Sequence, residues 1–240
     1  TNMEKWMNER YPRATVTAHE FGPDPVTPEY SYLAGDITDA YSDKVDEVLR
    51  SMVFLPLEDS DHPATFIVMD KVTSTNENFQ KSWLLHMQEE PQVEDNKIIV
   101  TRTEGDYNGR MVNETLLPQS VDITKIGGEG QEFMIGDTNY GYTVTPNAAA
   151  EVGWGRVEVS PTEANETDYF LNVMTVSDAD TTAPDLESTL IEGDNYAGAV
   201  ISNRVAVFAK DKDRISGSLS FDVPGSGDYK MFVAGLTAGT

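Results

Sequence analysis

The sequence predicts an all-β protein: a large antiparallel β-sandwich with a small C-terminal β-domain and one short N-terminal helix. Short apolar or alternating segments recur along the chain, and turn-forming residues separate them. Little helical periodicity lies between these segments, which favours an antiparallel sandwich over a parallel sheet with crossover helices. The run Thr65–Met69 carries apolar residues on both faces, as expected of a strand buried between two layers.

The first elements are a helix and a strand. Asn2–Arg10 favours a short helix, because Met3, Trp6 and Met7 recur at helical spacing and Asn2 can cap the first turn. Ala14–Phe21 alternates as a strand does. We expect Trp6 to be a packing residue.

The central part of the chain contains the clearest strands. Charged or glycine-containing segments at Glu58–Pro63, Asp95–Lys97 and Gly105–Gly109 indicate hairpin loops between them. We predict strands at Tyr30–Tyr32, Val45–Phe54, Phe66–Val72, Lys81–Pro91, Ile98–Arg102, Arg110–Leu117, Gly153–Ser160 and Thr167–Ser177.

A polar segment at Ser177–Asp185 marks a change in composition. We therefore predict two domains, a β-sandwich over residues 1–178 and a small C-terminal β-domain over residues 179–240. The strands expected in the second domain are Thr189–Glu192, Ala197–Ser202, Arg204–Lys210, Gly217–Val223 and Tyr229–Ala234.

The composition of the chain limits the kinds of molecule that it can bind. The 240 residues carry a formal charge of −24, which opposes binding to nucleic acid, to anionic membranes and to anionic glycans. The apolar runs are strand-sized, so no membrane span is predicted. Cysteine is absent, which excludes disulfides and is compatible with a secreted or periplasmic bacterial protein. The chain begins without a signal-peptide pattern, and we expect it to be part of a longer protein.

The three histidines are the first candidates for a site. His19 and His86 could bind a metal together with Asp36 if the fold brings them close, although their spacing does not require it. The alternative is that His86, after three apolar residues, is a buried structural histidine. We expect His62, in an acidic loop, to be solvated.

Basic residues are scarce. Arg50, Lys71 and Lys81 could be buried partners of Asp36, Asp70 or Glu90, or one of them could reach a glycan carboxylate. We favour structural ion pairs. Tyr30, Tyr32, Tyr41 and Tyr107 could contribute to a site from loops, but sheet aromatics are the simpler interpretation.

Residues 29–91 also carry a resemblance to a family. The ordered pattern Tyr-x-Tyr-Leu-x-Gly-Asp-x-Thr-x-Ala-Tyr, Arg-Ser-x-Val-x-Leu, Val-x-Asp-x-Val and Trp-Leu-Leu-His resembles the C-terminal β-domain of heparinase II/III-type polysaccharide lyases. Further similarity follows at Leu116–Pro118, Ile126–Gly130, Arg156–Pro161 and Phe170–Val173. We take as its structural motif Tyr32, Gly35, Asp36, Tyr41, Arg50, Lys81, Trp83 and His86.

This resemblance implies a supporting β-sandwich of an enzyme that cleaves uronic-acid polysaccharides, such as heparin, heparan sulfate or alginate, by β-elimination. It implies that the catalytic residues lie in an upstream helical domain of the same protein, so that this chain has none and is inactive alone. Zinc is expected only in the parent enzyme, and the anionic polysaccharide binds through that enzyme. A homodimer is a further expectation.

The alternative is a free-standing carbohydrate-binding or structural β-sandwich module. A carbohydrate-binding module requires exposed aromatic side chains, for which Trp6, Trp83 and Trp154 are the candidates.

Overall fold

A computed structural model describes residues 14–141, 153–215 and 217–236. These residues form seventeen strands and a single turn of 3-10 helix at Thr38–Ala40, which confirms the all-β fold class. The helix predicted at Asn2–Arg10, with Trp6, lies outside the described residues. No helix in the described ranges is long and apolar enough to cross a membrane.

The strands follow the order of the predicted segments. Their bounds are β1 Thr15–Gly22, β2 Tyr30–Asp36, β3 Val45–Pro56, β4 Ala64–Ser74, β5 Trp83–Met87, β6 Gln92–Glu94, β7 Lys97–Arg102, β8 Gly109–Leu117, β9 Val121–Gly127, β10 Met134–Ile135, β11 Thr138–Asn139, β12 Gly155–Pro161, β13 Thr167–Ser177, β14 Ser188–Glu192, β15 Tyr196–Ile201, β16 Arg204–Ala209 and β17 Lys230–Val233.

One eight-stranded sheet forms the centre of the molecule. Its strand order is β1-β2-β3-β4-β13-β8-β7-β6, and all its neighbours are antiparallel. β13 enters between β4 and β8, so residues distant in the sequence become neighbours.

The inner face of this sheet packs on a four-stranded sheet of order β14-β15-β16-β17. Val53 and Ile67 from the large sheet pack with Ile201 and Phe208 from the small one, and all four side chains are almost fully buried. Alternation places every second residue of β3 and β4 on this face. The two sheets therefore share one hydrophobic core.

A three-stranded sheet of order β5-β12-β9 covers part of the opposite, outer face. Trp83 and Val157 from this sheet pack against Ile98 and Phe170 from the large sheet. Phe170 and Leu171 are adjacent in β13 but belong to different cores. β13 is thus buried between two layers, and β4 contributes Ile67 and Met69 to the main core and Val72 to the second one.

The C-terminal sheet has a further core on its own outer side, around Val205 and Val207. The predicted strand at Gly217–Val223 is wrong, because the structure shows no strand at residues 217–223. Leu219, Phe221 and Val223 do alternate onto this core, but the segment does not join the ladder of the sheet. The boundary predicted after residue 178 falls between β13 and β14 and stays a prediction.

Candidate functional site

The motif residues divide into two groups in space. Tyr32, Gly35 and Asp36 lie on β2, and Arg50 lies opposite Gly35 on β3. Tyr41 follows the 3-10 turn and is 52% exposed. Lys81, Trp83 and His86 instead lie before or within β5 of the three-stranded sheet, so the motif does not form one site.

Arg50 and Asp70 are opposite each other on β3 and β4. The Arg50 Nε and Nη2 atoms donate to the two carboxylate oxygens of Asp70, each at 2.7 Å. Burial raises the pKa of Asp70, and the guanidinium opposes that rise. Arg50 and Asp70 thus form one of the ion pairs that the sequence suggested.

Asp36 belongs to a network of charges between the large sheet and the loop after β16. Its Oδ1 accepts hydrogen bonds from the backbone N–H and the hydroxyl of Thr38, and Lys212 Nζ lies 2.8 Å from its Oδ2. Hydrogen bonds from Lys212 and Thr38 lower the pKa of Asp36 to about 2. Lys212 also pairs with Glu47, at 3.0 Å.

Lys71 extends this network. It pairs with Glu47, at 2.7 Å, and with Asp211 from the loop after β16. The carboxylates outweigh the effect of burial and raise the pKa of Lys71. Neither Asp36 nor Glu90 is a partner of Lys71 or Lys81, contrary to two of the alternatives from the sequence. The network holds the C-terminal sheet against the large sheet.

Lys81 and Trp83 are structural. Lys81 is 8% exposed, and its ammonium lies 3.0 Å from Asp168 and 3.2 Å from the Ser74 hydroxyl, to which it donates. Trp83 is buried in the core beneath the three-stranded sheet. Trp83 therefore cannot be the exposed sugar platform that a carbohydrate-binding module would require, and Trp154 is half-buried against the same core.

Two expectations about the histidines are wrong. His86 is exposed, because it faces away from the core that its neighbours Leu85 and Met87 enter. His62 is only 3% exposed, and its Nδ1 lies 3.4 Å from Asp59. A tight loop whose Asp59 accepts backbone N–H bonds turns this side chain inward.

The described residues do not form a metal site. His19 lies on the edge strand β1 of the large sheet, whereas His86 lies on β5 of another sheet. In the part of the chain that the structure describes, no three His, Asp or Glu side chains lie close enough together to hold a metal ion. These residues therefore do not fit the zinc that the family resemblance implies for the parent enzyme.

The best candidate for ligand contact is a groove on the outer face of the three-stranded sheet, with a volume of about 560 Å³. His86 and Arg156 are cross-strand neighbours on its floor, and Met134, Ile135 and Tyr140 from the β10–β11 hairpin form a wall. Sequence reasoning did not find this groove, since these residues are separated by long stretches of chain.

The guanidinium of Arg156, the cation of this groove, is already paired with other groups of the chain. Arg156 Nε donates to Glu158 at 2.8 Å, and its Nη1 donates to the Met134 carbonyl oxygen at 2.8 Å. Glu132 adds another negative charge to the lining. The groove therefore suits a hydroxyl-rich or apolar group better than a carboxylate.

Most other cations of the described residues are also paired with carboxylates. Among the described residues, every lysine and arginine except Lys44 and Arg214 is paired with a carboxylate. Lys44 lies over the Phe79 ring, and Arg214 donates to the Leu236 carbonyl oxygen. The described surface thus offers no group of free cations to a polyanion.

Comparisons with known proteins give two similarities. Residues 190–240 match the family model of the heparinase II C-terminal domain. The crystal structure of heparinase III is similar over 81% of this chain and 26% of that chain, with 11% sequence identity and a TM-score of 0.48. The chain thus spans about a quarter of the length of that protein. No curated protein shows a significant match. Residues 190–240 are thus similar to the heparinase II C-terminal domain, in agreement with the heparinase-like resemblance, although the residues that carry that resemblance lie outside this match.

Proposed function

We propose that the chain is a supporting, non-catalytic β-sandwich of a polysaccharide lyase that cleaves uronic-acid polysaccharides by β-elimination. The match of residues 190–240 to the heparinase II C-terminal domain supports the relation to such enzymes. The shared core and the charge network join that region to the large sheet.

The pairing of the cations is the observation that carries the supporting role. Elimination from a uronate needs a group that neutralises the carboxylate, a base that removes the adjacent proton and an acid for the leaving oxygen. In the groove, His86 and Tyr140 could exchange protons, but Arg156 is neutralised by Glu158. The described residues of the groove therefore offer no free cation that could neutralise the uronate carboxylate.

The remaining parts of the proposal concern the parent enzyme. Its catalytic residues lie in an upstream helical domain, and it binds the anionic polysaccharide through a cationic cleft there. Any zinc of the enzyme is bound by residues outside the described ranges. We place the enzyme in the periplasm of a bacterium or outside the cell.

An elimination assay tests the supporting role. The isolated chain and the parent enzyme are incubated with heparan sulfate, alginate and chondroitin, and unsaturated uronate is followed by its ultraviolet absorbance. We expect turnover only with the parent enzyme, and unchanged turnover when the parent carries His86→Ala. Robust turnover by the isolated chain would contradict the proposal, as would loss of the parent's activity in a folded His86→Ala variant.

Carbohydrate binding in the groove is the second candidate function. Tyr140 and Ile135 are 62% and 69% exposed on the groove wall, and an exposed aromatic ring can stack on a sugar. Calorimetry with neutral and uronic oligosaccharides tests this. We expect Tyr140→Ala to abolish any binding and Tyr107→Ala, an exposed tyrosine outside the groove, to leave it unchanged. Equal binding by both variants would exclude the groove.

A further inference from the structure

The sequence contains two Asn-Glu-Thr triplets, at Asn113–Thr115 and at Asn165–Thr167. An asparagine two positions before a threonine is the acceptor pattern for an N-linked glycan in a protein that leaves the cytoplasm. A glycan is bulky and strongly hydrated, so the folded chain can carry one only on an exposed asparagine. The surroundings of the two asparagines in the structure therefore distinguish them.

Asn113 lies in the middle of β8 and is completely buried. Its Nδ2 atom donates to Oδ1 of Asn172 on β13 at 3.1 Å, and the hydroxyl of Thr115 donates to the same oxygen at 2.8 Å. Thr115 and Asn172 are buried as well. A glycan on Asn113 would have to force apart the packed side chains around β8, so this triplet is incompatible with modification in the folded chain.

Asn165 lies in the loop between β12 and β13 and is exposed. Its neighbours Glu163, Ala164 and Glu166 are exposed too. The Nδ2 atom of Asn165 donates to Oδ1 of Asp168 at 3.1 Å. An amide nitrogen carries two hydrogen atoms, so this bond leaves the second one free for substitution. A glycan can therefore be attached to Asn165 without displacing a buried side chain.

The loop around Asn165 is held through its backbone. The Asn165 carbonyl oxygen accepts a hydrogen bond from the buried ammonium of Lys81, and the Glu166 carbonyl oxygen accepts one from the backbone N–H of Ser74 at 2.8 Å. Neither bond involves the side-chain nitrogen of Asn165. Substitution of that nitrogen is therefore compatible with the anchoring of the loop.

We infer that Asn165 is the acceptor of an N-linked oligosaccharide and that Asn113 is not. The co-reactant is an oligosaccharide joined through a diphosphate to a polyprenyl lipid. In the transfer, Nδ2 of Asn165 forms a bond to the anomeric carbon of the sugar and gives up one proton. The bond from that carbon to the diphosphate breaks, and the lipid diphosphate leaves with the bonding electrons. The inference rests on the part of the proposed function that places the enzyme outside the cytoplasm.

Secretion of the full chain from a eukaryotic host that glycosylates exported proteins tests this inference. Mass spectrometry of the secreted, folded protein should show one glycan, and enzymatic release of that glycan should convert only Asn165 to aspartate. Asn165→Gln and Thr167→Ala should abolish the glycan, whereas Thr167→Ser, which keeps the acceptor pattern, should retain it. A secreted, folded chain without a glycan at Asn165, or with one at Asn113, would overturn the inference.

The glycan should leave the groove open. Arg156 on the groove floor and Pro161 before the loop lie at opposite ends of β12, about 16 Å apart along the strand. We therefore expect the parent enzyme, secreted from the same host, to have the same elimination activity with and without Asn165→Gln. An active parent enzyme without a glycan at Asn165 refutes only this inference, whereas turnover by the glycosylated isolated chain refutes only the supporting role.

Discussion

The guanidinium of Arg50 on β3 binds both carboxylate oxygens of Asp70 on β4, at 2.7 Å each. Asp70 is 2% exposed, whereas the Arg50 side chain is 37% exposed. The pair ties together two strands whose inner sides form the main core. It occupies a polar position in an otherwise apolar part of the sheet.

Removal of Arg50 should therefore destabilise the chain. Arg50→Met leaves the buried carboxylate of Asp70 without its partner, and we expect a loss of about 3 kcal/mol in the free energy of unfolding, measured in urea. The double variant Arg50→Met with Asp70→Leu should recover most of this loss, because no buried charge remains. A single variant as stable as the original chain would show that the pair contributes little.

Lys81 and Asp168 form a second ion pair, which is more deeply buried than that of Arg50 and Asp70. Its ammonium lies 3.0 Å from Asp168, and both side chains are almost fully buried. Lys81→Met should cost about 3–5 kcal/mol in the free energy of unfolding. The control is Lys125→Met, which breaks a pair with Glu90 that is largely exposed and should cost under about 1 kcal/mol. Similar losses in the two variants would contradict a special role for the buried pair.

The strands were predictable because their periodicity is local. The segments of β3, β4 and β13 are long, apolar and bounded by turn residues, and the predicted Thr167–Ser177 agrees with β13 at both ends. β9 was missed although Val121 and Ile123 alternate with polar residues and pack on the core beneath the sheet. The strand predicted at Gly217–Val223 shows the reverse error, since alternation indicates one apolar side but not pairing.

The charged contacts were less predictable because they join distant parts of the chain. The bond that Asp36 accepts from the backbone N–H of Thr38 is local, since the two residues are two positions apart. Its pairing with Lys212 depends on how the C-terminal sheet packs, which no local pattern reveals. The exposure of His86 follows from alternation within β5, but three preceding apolar residues suggested burial.

The Asp36–Lys212 contact should be visible in a pH titration. The pKa of Asp36 is lowered from 3.8 to about 2, so the stability that this carboxylate contributes is complete above pH 3.8 and is lost as the pH falls through about 2. Lys212→Met should raise the pH midpoint of the Asp36 titration, measured by NMR on its carboxyl carbon, toward the ordinary value of an aspartate. Lys44→Met, which removes a lysine that lies over Phe79, should leave it unchanged. An unaltered midpoint in Lys212→Met would disprove the contact.

The C-terminal sheet requires a glycine at residue 198. Gly198 lies in β15, and a Cβ atom added there would lie 2.0 Å from the carbonyl oxygen of Ala206 on the neighbouring strand β16. The backbone of β16 cannot move away, because Ala206 and Val207 are fully buried between two cores. We therefore expect Gly198→Ala to reduce the free energy of unfolding by about 1–3 kcal/mol, as overpacking does.

Gly109→Ala is the matched control for this substitution. Gly109 begins β8 and has no heavy atom within 4 Å of an added Cβ, so we expect a change within about 0.5 kcal/mol. Because the C-terminal sheet shares its core with the large sheet, Gly198→Ala should shift one cooperative transition rather than create a second, earlier one. Two separate transitions in the calorimetric trace would show that the C-terminal sheet unfolds independently, and would weaken the argument that it braces the large sheet.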